Sequence, residues 1–133
     1  MLFIDTGPLL ARYHGGDQYH AQAVRLWDKI QREKLICLTS NLVLNEVFTL
    51  LGRRMGHRFA GERARGIYFS ERLTIVRSTH EDELEALALF EKFADQKIGF
   101  TDCVSFVLMR KKRLTQAFSF DSHFERAGFR LWS

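Results

Sequence analysis

Four carboxylates carry the chemical interest of this 133-residue chain. Asp5 closes the apolar run Met1-Leu2-Phe3-Ile4, and Asp121 closes the strand-like stretch Ala117-Phe118-Ser119-Phe120. Glu46 interrupts a helical face formed by Leu42, Val43 and Leu50, and Asp102 opens an apolar helix that continues through Val104, Phe106 and Leu108. An ionised acid is costly to remove from water unless it is paired, and no Lys or Arg adjoins any of the four in sequence. Two carboxylates about 5 Å apart repel by roughly 3 kcal/mol at an effective dielectric of about 20, so a cluster of them holds protons or takes up a cation. Oxygen ligands favour Mg²⁺ or Mn²⁺, whereas zinc prefers His or Cys. One or two such ions activate water toward phosphorus and offset charge on the leaving oxygen. The residue types therefore point to metal-dependent chemistry on phosphate.

Each acid taken singly also has a plainer reading. An Asp that closes a strand is a common turn former, and Asp102 favours a helix N-terminus through the helix dipole. Glu46 is harder to dismiss, because it shares a face with Leu42 and Leu50. What decides between the readings is whether the elements bring all four to one place.

Short apolar runs at residues 2–4, 35–39, 73–76 and 116–120 predict buried strands, with a fifth at an edge over 130–132. Thr6 is expected to cap a helix that begins near Pro8, a residue tolerated in a first turn. A flexible loop is expected over 14–17, followed by a helix with Ala23, Leu26, Trp27 and Ile30 on one face. Ser40 or Asn41 is expected to cap a helix reaching residue 54, and a basic helix follows over 58–70. Thr79 and Asp82 resemble a capping box that opens a helix to residue 94. Thr101 is expected to cap the helix that starts at Asp102 and ends in Arg110-Lys111-Lys112-Arg113. Strands that alternate with helices predict an α/β fold with a central parallel sheet covered on both faces. Ligands of such sheets bind beyond the carboxyl ends of the strands. Asp5 and Asp121 fall at those ends, and Glu46 and Asp102 fall early in helices that begin at the same edge.

Composition sets the frame. With 46% hydrophobic and 27% charged residues, the chain is expected to form a single globular domain over 1–133. Its single Pro and scattered Gly leave no linker. The apolar start is broken by Asp5 and preceded by no basic residue, so it does not read as a signal peptide, and no run approaches the length of a membrane span. Cys37 and Cys103 stand far apart without a Cys or His at ligand spacing. They read as buried thiols of a protein kept in a reducing compartment, the cytoplasm. Once four acids are set aside in a site, 20 Lys and Arg face only 12 of the 16 Asp and Glu. A basic exterior around an acidic centre suits a polyanionic substrate.

The sequence resembles the PIN-domain family, and within it the small VapC-like ribonucleases of toxin–antitoxin pairs. The likeness rests on Leu2-Phe3-Ile4-Asp5-Thr6, on Thr39-Ser40-Asn41-Leu42-Val43-Leu44-Asn45-Glu46, on Ile98-Gly99-Phe100-Thr101-Asp102-Cys103 and on Ala117-Phe118-Ser119-Phe120-Asp121. Each stretch is weak alone, but four in register across nearly the whole chain are specific. The resemblance implies a three-layer α/β/α sandwich and Mg²⁺- or Mn²⁺-dependent cleavage of RNA. It places Asp5, Glu46, Asp102 and Asp121 in the family's acidic quartet, with Asp5 and Asp102 as the most direct metal ligands. Glu46 and Asp121 would bind metal or orient water, and Thr6 would support a ligand or touch phosphate. It also implies a homodimer and a protein antitoxin as partners.

Arg53, Arg54 and Arg58 begin a stretch of five arginines that ends at Arg65. They read as a grip on the RNA backbone or as a solvated helix face. The cations from Arg110 to Arg113 complement a helix C-terminus. His123 either reaches the site as a substrate contact or finishes a loop, and His14, His20, His57 and His80 show no ligand spacing. Of the twelve Phe, the helical Phe48, Phe59, Phe69, Phe90 and Phe93 are expected mostly in the core, with residues near Trp27, Phe59 and Phe69 as candidates for a partner surface.

Asp5-Thr6-Gly7 also spells an aspartic-protease signature, but that enzyme is all-β. A haloacid-dehalogenase-type phosphatase needs an acid where Gly7 stands, and a receiver domain wants a Lys that closes a late strand. Two rivals stay open: a metal-binding RNA-recognition module without turnover, and a housekeeping RNA-processing nuclease.

Overall fold

Strand β1 (Leu2–Ile4) is buried along its whole length, as an apolar run covered on both faces must be. It pairs in parallel with β2 (Cys37–Ser40) on one side and with β4 (Gln116–Phe118) on the other. Outside these lie β3 (Leu73–Val76), parallel to β2, and β5 (Arg130–Leu131), parallel to β4. The computed structural model, which describes residues 1–133, thus holds one five-stranded parallel sheet in the order β3-β2-β1-β4-β5. The chain leaves β1 toward β2 and returns later to its other side at β4. The crevice between the carboxyl ends of β1 and β4 is therefore the topological switch point.

Seven helices surround the sheet: α1 (Thr6–Tyr13), α2 (His20–Arg32), α3 (Asn41–Met55), α4 (His57–Tyr68), α5 (His80–Lys92), α6 (Phe100–Lys111) and α7 (His123–Arg126). Ser40 caps α3 by accepting from the Val43 amide at 3.1 Å. The capping box at Thr79 and Asp82 is complete, and Asp82 also pairs with Lys111 of α6. Both expectations hold.

Other boundaries differ for local reasons. Asp5, not Thr6, is the cap residue of α1, with extended backbone and no side-chain capping bond. Gly99 takes the corresponding place before α6, and Thr101 lies inside the helix, where its carbonyl accepts from Ser105. Strand β2 begins at Cys37 because Lys34 takes a left-handed conformation (φ 54°) and the Leu35 amide still closes α2 onto Ile30. Helix α5 ends at Lys92, and a short 3₁₀ turn (Ala94–Gln96) follows. Strand β4 stops at Phe118, which frees Ser119 and Phe120 from the sheet.

One core of 28 buried residues spans the sheet and its helices. Its aromatic centre joins Phe106 to Phe124 (ring centroids 5.1 Å apart) and Phe118 to both Trp27 and Trp132 (5.5 and 5.2 Å). Of the five Phe expected on helices, only Phe93 is buried. Phe48 and Phe59 are half-buried, Phe90 is exposed, and Phe69 lies beyond the end of α4 at 83% exposure. Trp27 belongs to the core, with its indole N–H donating to the Pro8 carbonyl at 2.9 Å. Cys37 and Cys103 are free and buried, and burial pushes both thiols up to about 11. No helix is long and apolar enough to cross a membrane.

Candidate active site

Asp5 leaves the end of β1, where its amide donates to the Phe118 carbonyl of β4 at 3.0 Å. That bond fixes it over the switch point, and its side chain is buried. Ser119, the first residue beyond β4, turns its hydroxyl onto Asp5 Oδ2 at 2.7 Å and accepts the Asp121 amide at 3.0 Å. One serine therefore ties the acid of β1 to the acid after β4. Asp102 stands in the first turn of α6 and is half-buried, Glu46 is half-buried on α3, and Asp121 is exposed.

All four acids line one open cleft of about 620 Å³, together with Thr6, Gly7, Asp17, Tyr19, Arg54 and Phe120. The tightest subset is Asp102, Asp121 and His123, whose potential ligand atoms lie within 4.8 Å of one another. His123 Nδ1 is 2.8 Å from Asp102 Oδ2 and 3.2 Å from Asp121 Oδ2, and its backbone amide donates to Asp121 Oδ1 at 3.0 Å.

The electrostatics record the crowding. Burial, joined by the charges of Asp102 and Glu46, raises the Asp5 carboxyl to about 7 against the opposing hydrogen bonds from Ser119 and the Thr6 amide. Burial also raises Asp102, assisted by Asp121, while the hydrogen bond and charge of His123 pull it back. Mutually repelling carboxylates around a cleft, with one imidazole beside them, are a donor set that fits a hard divalent cation.

Thr6 is buried at the start of α1 and borders the cleft. Of the three arginines read as an RNA grip or a solvated helix face, Arg54 borders the cleft and lies 3.9 Å from Asp17. Arg53 and Arg58 do not border it. Arg58 is almost fully exposed and pairs only with Glu62 one turn on, at 4.0 Å. Sequence reasoning left His123 between two readings and passed over Ser119, Asp17 and Tyr19. The run Ser119-Phe120-Asp121-Ser122-His123 held a signal for two of them, since polar residues crowd there just after a strand.

Comparison with known proteins agrees with this geometry. A family model described as the PIN domain matches residues 2–130. The chain is 37% identical over 129 residues to the 23S rRNA-specific endonuclease VapC20 of Mycobacterium tuberculosis, covering 97% of this chain and 95% of that protein. The crystal structure of VapC20, described as a sarcin–ricin loop cleaving toxin, superposes with a TM-score of 0.88 at 36% identity, over 97% of this chain and 96% of that one. FitAcB from Neisseria gonorrhoeae matches in fold alone, with a TM-score of 0.67 at 12% identity over 100% of this chain and 97% of the other. Four acids at the switch point of a β3-β2-β1-β4-β5 sheet, and a relative alike from end to end, place this chain in the PIN-domain family, among its VapC-like members.

Proposed function

We propose that this protein is an Mg²⁺- or Mn²⁺-dependent ribonuclease that hydrolyses RNA phosphodiester bonds. The observation that carries the reading is the convergence of Asp5, Glu46, Asp102 and Asp121 on one cleft, where burial, joined by the charges of Asp102 and Glu46, raises the Asp5 carboxyl to about 7. Four carboxylates that oppose a polyanion are costly for a protein that only binds RNA, whereas a cation turns them into a phosphate site. Likeness to a 23S rRNA-specific endonuclease supports the same reading.

Asp5, Asp102 and Asp121 would hold the cation, with Ser119 fixing Asp5 and His123 fixing Asp102. When bound, the ion supplies a more acidic water and offsets charge on the phosphate oxygens. Glu46 orients the attacking water and takes its proton. Thr6 supports Asp5 from the start of α1, and Arg54 meets the substrate backbone. Residues 1–133 act as one domain.

The likeness to VapC20, described as a toxin, supports a toxin role, and the reading extends to action in the cytoplasm, a protein antitoxin as partner and pairing of two copies. Induction in a growing host tests the toxin role, and light scattering of the purified chain tests the pairing. The deciding experiment for the activity is cleavage of 23S rRNA and of a structured RNA pool with Mg²⁺, Mn²⁺ or EDTA, alongside Asp5→Asn. Cleavage that needs metal and disappears in the variant is expected. RNA binding without cleavage in any condition overturns the nuclease in favour of a binding module. Cleavage without growth arrest leaves the nuclease standing and replaces the toxin role with RNA processing.

A further inference from the structure

The cleft carries an aromatic feature that the acidic centre does not use. Tyr19, in the turn between α1 and α2, stacks on Phe120, the residue before Asp121, with ring centroids 4.5 Å apart and planes 15° from parallel. Both rings border the same cleft as Asp5 and Asp121, and Tyr19 is 38% exposed. Phe120 is seated from behind, edge-on to the buried Phe118 at 5.7 Å and 3.6 Å from the position a Cβ on Gly7 would take.

The turn that presents Tyr19 is held by several hydrogen bonds. The Asp17 amide donates to the His14 carbonyl, and the His20 amide donates to the Asp17 carbonyl, both at 3.0 Å. Asp17 Oδ1 accepts the Tyr19 amide at 2.8 Å, while Oδ2 faces Arg54 of α3 at 3.9 Å. His20 Nδ1 lies 2.7 Å from the Ala11 carbonyl, which ties the start of α2 to α1. Asp17 therefore couples the aromatic turn to the one arginine of α3 that borders the cleft.

An acidic cleft repels the phosphates on either side of the one a cation neutralises, and Arg54 offers a single cation against them, so a nucleotide gains from a grip that does not depend on charge. Ring stacking supplies one, worth about 1–3 kcal/mol per base and available to any base. We propose that Tyr19, backed by Phe120, is a stacking platform for the nucleobase next to the cleaved phosphate. The substrate class is then RNA with an unpaired nucleotide at the cut, in a loop, a bulge or a single strand. A base inside a duplex is already stacked on both faces and offers Tyr19 none. The inference rests on the ribonuclease reading and deepens it.

The test is binding of short single-stranded RNAs that carry 2-aminopurine at successive positions, in the non-cleaving Asp5→Asn chain with Mg²⁺. Stacking predicts fluorescence quenching at one position. Tyr19→Ala in that background should remove the quench and weaken the dissociation constant about tenfold. Tyr19→Phe should keep both, and the same labelled strand annealed to its complement should show neither. In the cleaving chain, Tyr19→Ala should raise KM while kcat stays near its original value. Quenching that survives Tyr19→Ala, quenching at no position, or equal binding of the duplex overturns the platform. Failure of the nuclease reading is a different result: the Tyr19-dependent quench persists, but the unaltered chain cuts no RNA with either metal.

Discussion

The Ser119 hydroxyl donates to Asp5 Oδ2 at 2.7 Å across 114 residues of sequence, and it simultaneously accepts the Asp121 amide. The first bond favours the ionised carboxylate, against the burial that raises Asp5 to about 7. Ser119→Ala should therefore push Asp5 higher still. Hydrogen bonds to charged groups contribute about 1.5–3 kcal/mol, so with metal below saturation, where a proton on Asp5 competes with the cation, cleavage at pH 7 should fall several-fold or more and recover as pH rises. The pH–rate profile checks this. An acid limb that does not move would mean that Ser119 only shapes the loop after β4.

Asp5 also sets how metal-free stability depends on pH. Its folded value, about 7, lies above the ordinary 3.8, so between those values the folded chain binds a proton that the unfolded chain has released. The stabilisation is complete below about pH 4 and is lost as pH rises through about 7. In EDTA, this group should make the melting temperature fall across that window and level off above it. Asp5→Asn should remove the slope and, at pH 8, melt higher than the parent by more than about 3 °C. Mg²⁺ or Mn²⁺ should stabilise the parent at pH 8 and have far less effect on the variant. Parallel melting curves for the two chains from pH 4 to 8 would remove Asp5 from the account.

His123 bridges Asp102 and Asp121 at 2.8 and 3.2 Å. A residue that orients metal-binding carboxylates typically matters by about 10–100-fold in metal affinity or activity. His123→Ala should weaken Mn²⁺ binding within that range, as read by paramagnetic resonance titration of free Mn²⁺, and should lower cleavage in parallel. An unchanged Mn²⁺ affinity would return His123 to the role of a loop residue.

What the sequence revealed follows from how local each determinant is. Asp5 and Asp121 were legible because a wholly apolar run must be a buried strand, and a buried strand delivers whatever follows it to the sheet edge. The Ser40 and Thr79 caps were legible because a cap reads its own next turn. The start of β2 was not, because Lys34 ends α2 in a left-handed conformation without a glycine to mark it. Thr101 offered the right side chain for a cap, but the backbone places Gly99 there. Ser119, His123 and Tyr19 act on partners brought near only by the strand crossover and the helix packing. The basic stretch after residue 52 read as uniform, yet helix geometry turns only Arg54 to the cleft.

That selectivity gives the arginines separable outcomes. Arg54 borders the acidic cleft and stands beside Asp17, so its contact to the substrate backbone acts close to the cut. Arg58 is held only by an exposed contact with Glu62, of a kind that contributes little. Arg54→Ala should weaken RNA binding and lower the slope of log affinity against log salt by about 1, the signature of one lost phosphate contact. Arg58→Ala and Arg53→Ala should leave the slope nearly unchanged. Filter binding of a single-stranded RNA to the Asp5→Asn chain over a salt series separates the three. Equal slope losses in all of them would mean that RNA runs along the whole basic stretch and that the cleft is not its main seat. A loss confined to Arg54 would place the backbone beside Asp17, within reach of the aromatic turn that Asp17 holds.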